Sequence, residues 1–513
     1  MKKRLLSLML GVSLIFSLCA CGMASPDLND ANGGYAPSYG PSYSNSDGYN
    51  KGSESYTEIV ENGFINTAIT PDSYFSIDAN TASYPNLRRR IQEGYAQYID
   101  KDAVRVEEML NYFNYDYERP TDGSVLSLTA SVFDTPYNSE TKLMTIGLAA
   151  EEVQLSDVRN NLVFLIDVSG SMYSEDKLPL VQQSFMMLTE SLNPEDRVSI
   201  VTYASGDKVV LAGAYGYEKQ KIIAAIEDLA AGGSTAGSKG IQKAYELAEA
   251  YFIEGGNNRV ILATDGDFNV GVTSQVGLQQ LICEKRESGV YFSVFGFGTG
   301  NLKSDTMENL ALKGNGVYSY IDSVKEAKRA LVTEIGGSMV TVAKDVKAGI
   351  VFNPEYVESY RLIGYENKLL TEDQFNDSST DAGELGSGHT VTVVYEIVLT
   401  DKAMAEGDSF ADVIIRYKPA AAGAAETNEE LTLTVGADAY HAEPTETDLF
   451  VASVVELALI MRNSEYKADS NLDALVARLL ELDLSGDEFK AEFRDLVLLY
   501  RESITGDERY HGV

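Results

Sequence analysis

The amino-acid sequence predicts an α/β fold: a doubly wound, mainly parallel sheet flanked by β-rich units and followed by a C-terminal helical tail. Three observations predict it. Between residues 158 and 336 short apolar runs alternate with amphipathic helical stretches, the pattern of strands buried on both faces beneath covering helices. On either side, at 56–157 and 337–447, strand-like runs dominate instead. Beyond 447 three helical stretches follow one another. The apolar share of 44% is ordinary for a globular chain, and 513 residues suggest about three folded units. No repeat emerges at solenoid periods.

The first segment, 1–20, reads as an export signal. Lys2, Lys3 and Arg4 precede an apolar run over 5–20, too short for a comfortable membrane span. It ends Leu18-Cys19-Ala20-Cys21, which looks like a lipobox. Cleavage before Cys21 and a diacylglycerol thioether on its sulfur would anchor the chain to the cell membrane on the extracytoplasmic side, stably once several acyl chains are attached. Ordinary cleavage near Ala20, giving a free protein, is the alternative. Residues 21–55 are mostly Gly, Ser, Asn, Pro and Tyr, with Tyr35, Tyr39, Tyr43 and Tyr49 spaced through them. Such a stretch buries no core and is expected to be a flexible tether with an r.m.s. span of roughly 30 Å.

Of three cysteines, Cys19 and Cys21 fall in the leader region and only Cys283 in the body, so no disulfide framework forms there. Cys283 is expected to be a packed thiol without a role. The net charge of −36, from 77 acidic against 41 basic residues, argues against nucleic acid as a partner. Its plain consequence is solubility; it also concentrates divalent cations.

Within 56–157 strands are expected at 126–133 and 143–148 and a helix at 104–113. In the central segment strands are expected at 162–166, 197–203, 260–263 and 290–297, with a shorter edge strand at 208–211. The helices between them are expected at 178–192, 218–229, 238–252, 274–288 and 304–312. Pro179 suits a first helical turn, and Ser323 with Glu326 has capping-box spacing for a last helix. A second β-rich unit follows, with strands at 350–352, 390–399, 411–417 and 431–435. Tail helices are expected at 449–461, 471–482 and 487–502, the last opened by a Ser485–Glu488 capping box.

Chemistry gathers at one edge of the central sheet. Its first strand ends Leu165-Ile166-Asp167-Val168-Ser169-Gly170-Ser171-Met172, which delivers an acid and two hydroxyls to the carboxyl end of a strand, where open α/β sheets bind ligands. Gly232-Gly233-Ser234-Thr235 and Ala263-Thr264-Asp265-Gly266 point to the same edge. Here the chain resembles the von Willebrand factor type A (vWA) family, a Rossmann-like fold, and its metal-ion-dependent adhesion site, matched at Asp167, Ser169, Ser171, Thr235 and Asp265. The resemblance implies that the hydroxyls bind Mg²⁺ (or Mn²⁺ or Ca²⁺) directly and the carboxylates directly or through water. It also implies one open position for a partner's Asp or Glu. Mg²⁺ is a hard ion that takes six oxygens at about 2.0–2.1 Å, so three neutral hydroxyls and two carboxylates do not saturate it.

The flanks sharpen the likeness. Tyr74-Phe75-Ser76-Ile77-Asp78, Asp102-Ala103-Val104-Arg105-Val106-Glu107-Glu108, Tyr360-Arg361-Leu362-Ile363-Gly364-Tyr365 and Gly388-His389-Thr390-Val391-Thr392 resemble the flanking regions of the YfbK-like bacterial lipoproteins. Rival chemistries fare worse. Gly296-Phe297-Gly298-Thr299-Gly300 lacks the third glycine of a dinucleotide loop, so no small-molecule cofactor is expected. With only His389, His441 and His511, neither a zinc site nor a Cys/His nucleophile is suggested, and His389 is expected to be a structural turn residue. A serine triad stays open, though no Gly-x-Ser-x-Gly elbow is present. The resulting expectation is a cell-envelope lipoprotein that binds a protein or peptide ligand through the metal and has no catalytic residue. An envelope scaffold docking through its tail helices is the alternative, and a metal-dependent hydrolase the third.

Overall fold

The computed structural model describes residues 54–506 apart from 78, 122, 154–157, 234–237, 267–274, 334–339 and 421–427. The leader, Cys21 and nearly all of the tether lie outside the described residues, as does Thr235. Among the described residues no helix is long and apolar enough to cross a membrane.

The central sheet has six strands in the order Tyr318–Ile321, Val290–Phe297, Asn257–Thr264, Asn160–Asp167, Arg197–Tyr203, Asp207–Tyr215. All pairings are parallel except the last, which adds an antiparallel edge. Alternate side chains of Asn160–Asp167 enter two different cores: Phe164 and Ile166 pack with Phe185, Ile222 and Ala327, while Val163 and Leu165 pack with Ile241, Leu278 and Met307. A strand apolar on both faces therefore needs helices on both sides, and the helices fall at Leu178–Ser191, Lys219–Glu227, Ser238–Ala250, Gln275–Glu287 and Ser304–Lys313. Ser323 caps the short helix Val324–Lys328, its Oγ accepting from the Glu326 N–H at 3.1 Å. Tyr318–Ile321, too short to register as an apolar run, is a strand the sequence reading passed over. Cys283 is half-buried.

The two β-rich regions, read from sequence as separate units, share their sheets. One sheet runs Ile65–Asn66, Val357–Ile363, Thr390–Leu399, Lys142–Ala150, Leu126–Asp134, Tyr440–His441, with Thr390 opposite Ala149 and Ile397 opposite Lys142. The other runs Gly383–Gly386, Thr341–Phe352, Ser409–Pro419, Glu429–Gly436, and Asp72–Ser76 also pairs with Thr341–Phe352. Ile146 and Leu148 from before the central domain pack in one core with Ile350, Val393 and Val413 from after it. Either region alone would leave an apolar sheet face and a strand edge bare. The central domain is thus inserted between strands of one two-sheet body.

The tail helices, Glu446–Arg462, Leu472–Glu481 and Glu488–Thr505, close a further core with Ser83–Gln92 and Val106–Asn111. Phe113, Phe450 and Phe493 meet there edge to face with ring centroids 5.0–5.4 Å apart. Thirteen of the 17 residues of Glu446–Arg462 are buried, so the first tail helix is core and not a free docking face. The expected Ser485–Glu488 capping box is replaced: the Asp487 carboxylate accepts from the N–H groups of Phe489 and Lys490 at 2.9 and 3.1 Å, and Ser485 donates instead to Asp483. Asp487 immediately precedes the first helical residue, within reach of both orphan donors, whereas Ser485 is two residues further back. Buried Arg88 ties the layers together, its guanidinium reaching Asp322 at 2.7 Å, Glu326 at 2.8 Å and Glu492 at 2.6 Å.

Candidate metal centre

Asp167 stands at the carboxyl end of the strand Asn160–Asp167, where the sheet stops and the backbone turns into a short 3₁₀ segment, Gly170–Tyr173. Its side chain is fully buried. Oδ1 accepts from the Ser169 backbone N–H at 2.8 Å and Oδ2 from the Thr264 hydroxyl at 3.4 Å. Ser169 Oγ and Ser171 Oγ lie 3.0 Å apart. Two oxygens at neighbouring corners of an octahedron around an ion with bonds of about 2.0–2.1 Å are about 2.9 Å apart, so the hydroxyl pair is set at a separation the ion would use.

Asp265 follows the strand Asn257–Thr264 and is also fully buried. Its Oδ2 accepts from Lys177 Nζ at 2.8 Å and from Asn301 Nδ2 at 3.4 Å. Burial pushes the Asp167 carboxyl up to about 6; hydrogen bonds from Ser169 and Tyr203 oppose this, and the charge of Asp265 adds to it. The two carboxylates are thus near enough to repel in a place with little water, and a cation between them would relieve that repulsion.

Thr235 lies outside the described residues, but the loop leading to it is held at this edge. The Gly232 N–H donates to the Val168 carbonyl at 2.8 Å and the Gly170 N–H to the Gly233 carbonyl at 3.0 Å. Gly233 has φ +87°, and a Cβ there would come within 2.5 Å of Ser205 Oγ, so this approach needs glycine. Asp167, Ser169, Ser171 and Asp265 thus share one edge of the sheet. Among the described residues there is no group of three or more His, Cys, Asp or Glu able to hold a metal. The donor set here is two carboxylates and hydroxyls, which suits a hard ion such as Mg²⁺ and not zinc. Tyr203, Asn301 and Lys177 touch these carboxylates and carried no signal in the sequence, whereas Thr264 lay within the motif that marked Asp265. His389 belongs to the flanking body, beside the turn before Thr390–Leu399; its Nδ1 is sealed with no hydrogen-bond partner among the described residues, although the residue keeps some exposed surface.

Family profiles match three stretches: von Willebrand factor over residues 50–145, von Willebrand factor type A domain over 161–333, and uncharacterized protein YfbK, C-terminal, over 337–502. Uncharacterized protein YfbK of Escherichia coli (strain K12) is 40% identical over 358 residues, 68% of this chain. That alignment covers 62% of the relative, so the chain spans less than two thirds of its length. Inter-alpha-trypsin inhibitor heavy chain H4 of Homo sapiens is 30% identical over 241 residues, 44% of this chain and 25% of that one. Among solved structures, von Willebrand factor type A from Catenulispora acidiphila matches with a TM-score of 0.41 and 17% identity, over 75% of this chain and 89% of that one.

Proposed function

The chain is a YfbK-like protein built around a von Willebrand factor type A domain, and from that premise we propose that it is a cell-envelope protein that binds a protein or peptide ligand through a divalent ion at the sheet edge. Ser169, Ser171 and Thr235 would hold Mg²⁺ (or Mn²⁺ or Ca²⁺) through their hydroxyls, with Asp167 and Asp265 as the charged donors. The ion supplies an electrophilic position for an Asp or Glu of the ligand. One observation carries the reading: a 3.0 Å hydroxyl pair beside two fully buried carboxylates at the carboxyl edge of a parallel sheet. No residue is given a catalytic role.

Partners captured by cross-linking in intact cells in Mg²⁺ should be lost in EDTA and lost with Asp167→Ala. Capture that survives both conditions overturns the mechanism. Lipidation at Cys21 would hold the protein at the outer side of the cell membrane, with residues 21–55 as its tether. Cys21→Ser should move it from the membrane pellet to the soluble fraction, and unchanged sedimentation would refute the anchor. A scaffold working through the first tail helix gains no support, since 13 of its 17 residues are buried.

A further inference from the structure

Lys177 precedes the helix Leu178–Ser191, and its ammonium reaches 88 residues along the chain to Asp265. The pair is buried, with side-chain exposures of 8% and 0% at 2.8 Å. A lysine stem does not enter such a place without a path. The path is Gly298, at φ +73°, where a Cβ would come within 2.3 Å of Lys177 Cγ and 2.5 Å of Cε. The Tyr320 hydroxyl fixes that turn by donating to the Gly298 carbonyl at 2.8 Å. Backbone, slot and ion pair together hold a positive charge against a carboxylate assigned to the metal.

We propose that Lys177 is a built-in cation that sets how tightly the divalent ion is held and gives the loaded site a net positive charge. This rests on the metal-binding reading above. Counting Asp167, Asp265 and the Lys177 ammonium paired with Asp265, the site carries one net negative charge without the ion and one net positive charge with it. Without Lys177 the loaded site would be neutral. The lysine therefore does two things at once. It weakens attraction for the ion, which keeps the ion exchangeable, and it leaves charge for an external carboxylate to neutralise. It also compensates Asp265 when no ion is present, so the fold does not depend on metal to offset that carboxylate.

The test is a Mn²⁺ titration of the full chain, with free Mn²⁺ read by electron paramagnetic resonance. Lys177→Met should tighten binding by about tenfold or more, since a unit charge a few ångströms from the ion in partly screened surroundings is worth at least that factor. Lys177→Gln keeps a polar end without the charge and should shift the same way, which covers failure of the methionine variant to fold. Gly298→Ala, which expels the stem from its slot, should also tighten binding. Asp167→Ala should abolish it in every background. Equal Mn²⁺ affinity in wild type, Lys177→Met and Lys177→Gln overturns the role of Lys177 and leaves the metal site standing. Mn²⁺ binding indifferent to Asp167→Ala overturns the metal reading, and the lysine proposal with it.

Discussion

Glu107→Gln should stabilise the protein at mildly alkaline pH and leave it almost unchanged in acid. Glu107 sits in the helix Val106–Asn111 at 2% exposure, and its Oε2 has no hydrogen-bond partner among the described residues. Arg105 comes only to 3.9 Å of Oε1, too far for a charge-assisted hydrogen bond. Burial, with the charge of Glu366 adding to it, pushes the carboxyl up to about 7 from the ordinary 4.5, against the pull of Arg105 and Arg462. The unfolded chain gives up this proton first as pH rises. Stability from the protonated form is therefore complete below 4.5 and lost as pH climbs through 7. At about 1.4 kcal/mol per pH unit the loss amounts to about 3 kcal/mol. Glutamine cannot ionise and escapes it.

The sequence pI of 4.4 makes the acid end prone to precipitation, so urea unfolding is best followed from about pH 5 to 8.5. The chain has 31 tyrosines and no tryptophan, so tyrosine fluorescence is the probe. The advantage of Glu107→Gln should grow across that window to about 3 kcal/mol. A constant difference between the two proteins refutes the argument, because a packing effect has no reason to follow pH.

Arg88→Met should cost about 3–5 kcal/mol in urea unfolding, since it leaves Asp322, 3% exposed, without its cation and the fully buried Glu326 with Arg329 alone; a loss below about 1 kcal/mol would mean that Arg329 and its neighbours already compensate both carboxylates. His389 gives a pH dependence of opposite sign to Glu107. Burial pushes its ring down to about 4 from 6.5, with Arg329 and Arg119 acting the same way, so its contribution is complete above 6.5 and lost as pH falls towards 4. His389→Gln should flatten the acid side of the unfolding profile by about 2 kcal/mol between about pH 6.5 and 5, and an unaltered slope would sink the assignment.

The parts legible in the sequence were those whose signal is local. The strand Asn160–Asp167 is a continuous apolar run ending in Asp-x-Ser-x-Ser, and both its place in the sheet and its burial follow from that pattern. The helix Ser83–Gln92 was missed because Pro85 and Arg88-Arg89-Arg90 read as polar and irregular. Pro85 falls in the first turn, where no N–H is needed, and the arginines are buried against acids distant in sequence. The shared sheets were missed for a related reason. Strand patterning fixes which face of a strand is apolar but says nothing about which strand some 240 residues away will lie beside it. Lys177 shows the same limit at the metal centre, where the partner of a lysine is decided by a glycine in another loop.

The insertion of the central domain has a consequence for the order in which the protein is made. Lys142–Ala150 leaves the ribosome long before Thr390–Leu399, the strand that covers its free edge. At about 5–20 residues per second the delay is roughly 10–50 s. The α/β module, whose strands are all contiguous within it, can close during that interval, while Leu126–Asp134 and Lys142–Ala150 wait as a hairpin with an unpaired apolar border. A chain emerging from its N-terminal end is thus able to close in the middle while its earlier hairpin stays sticky, and a chaperone meeting it would have to shield residues 126–150 until residues 390–399 arrive.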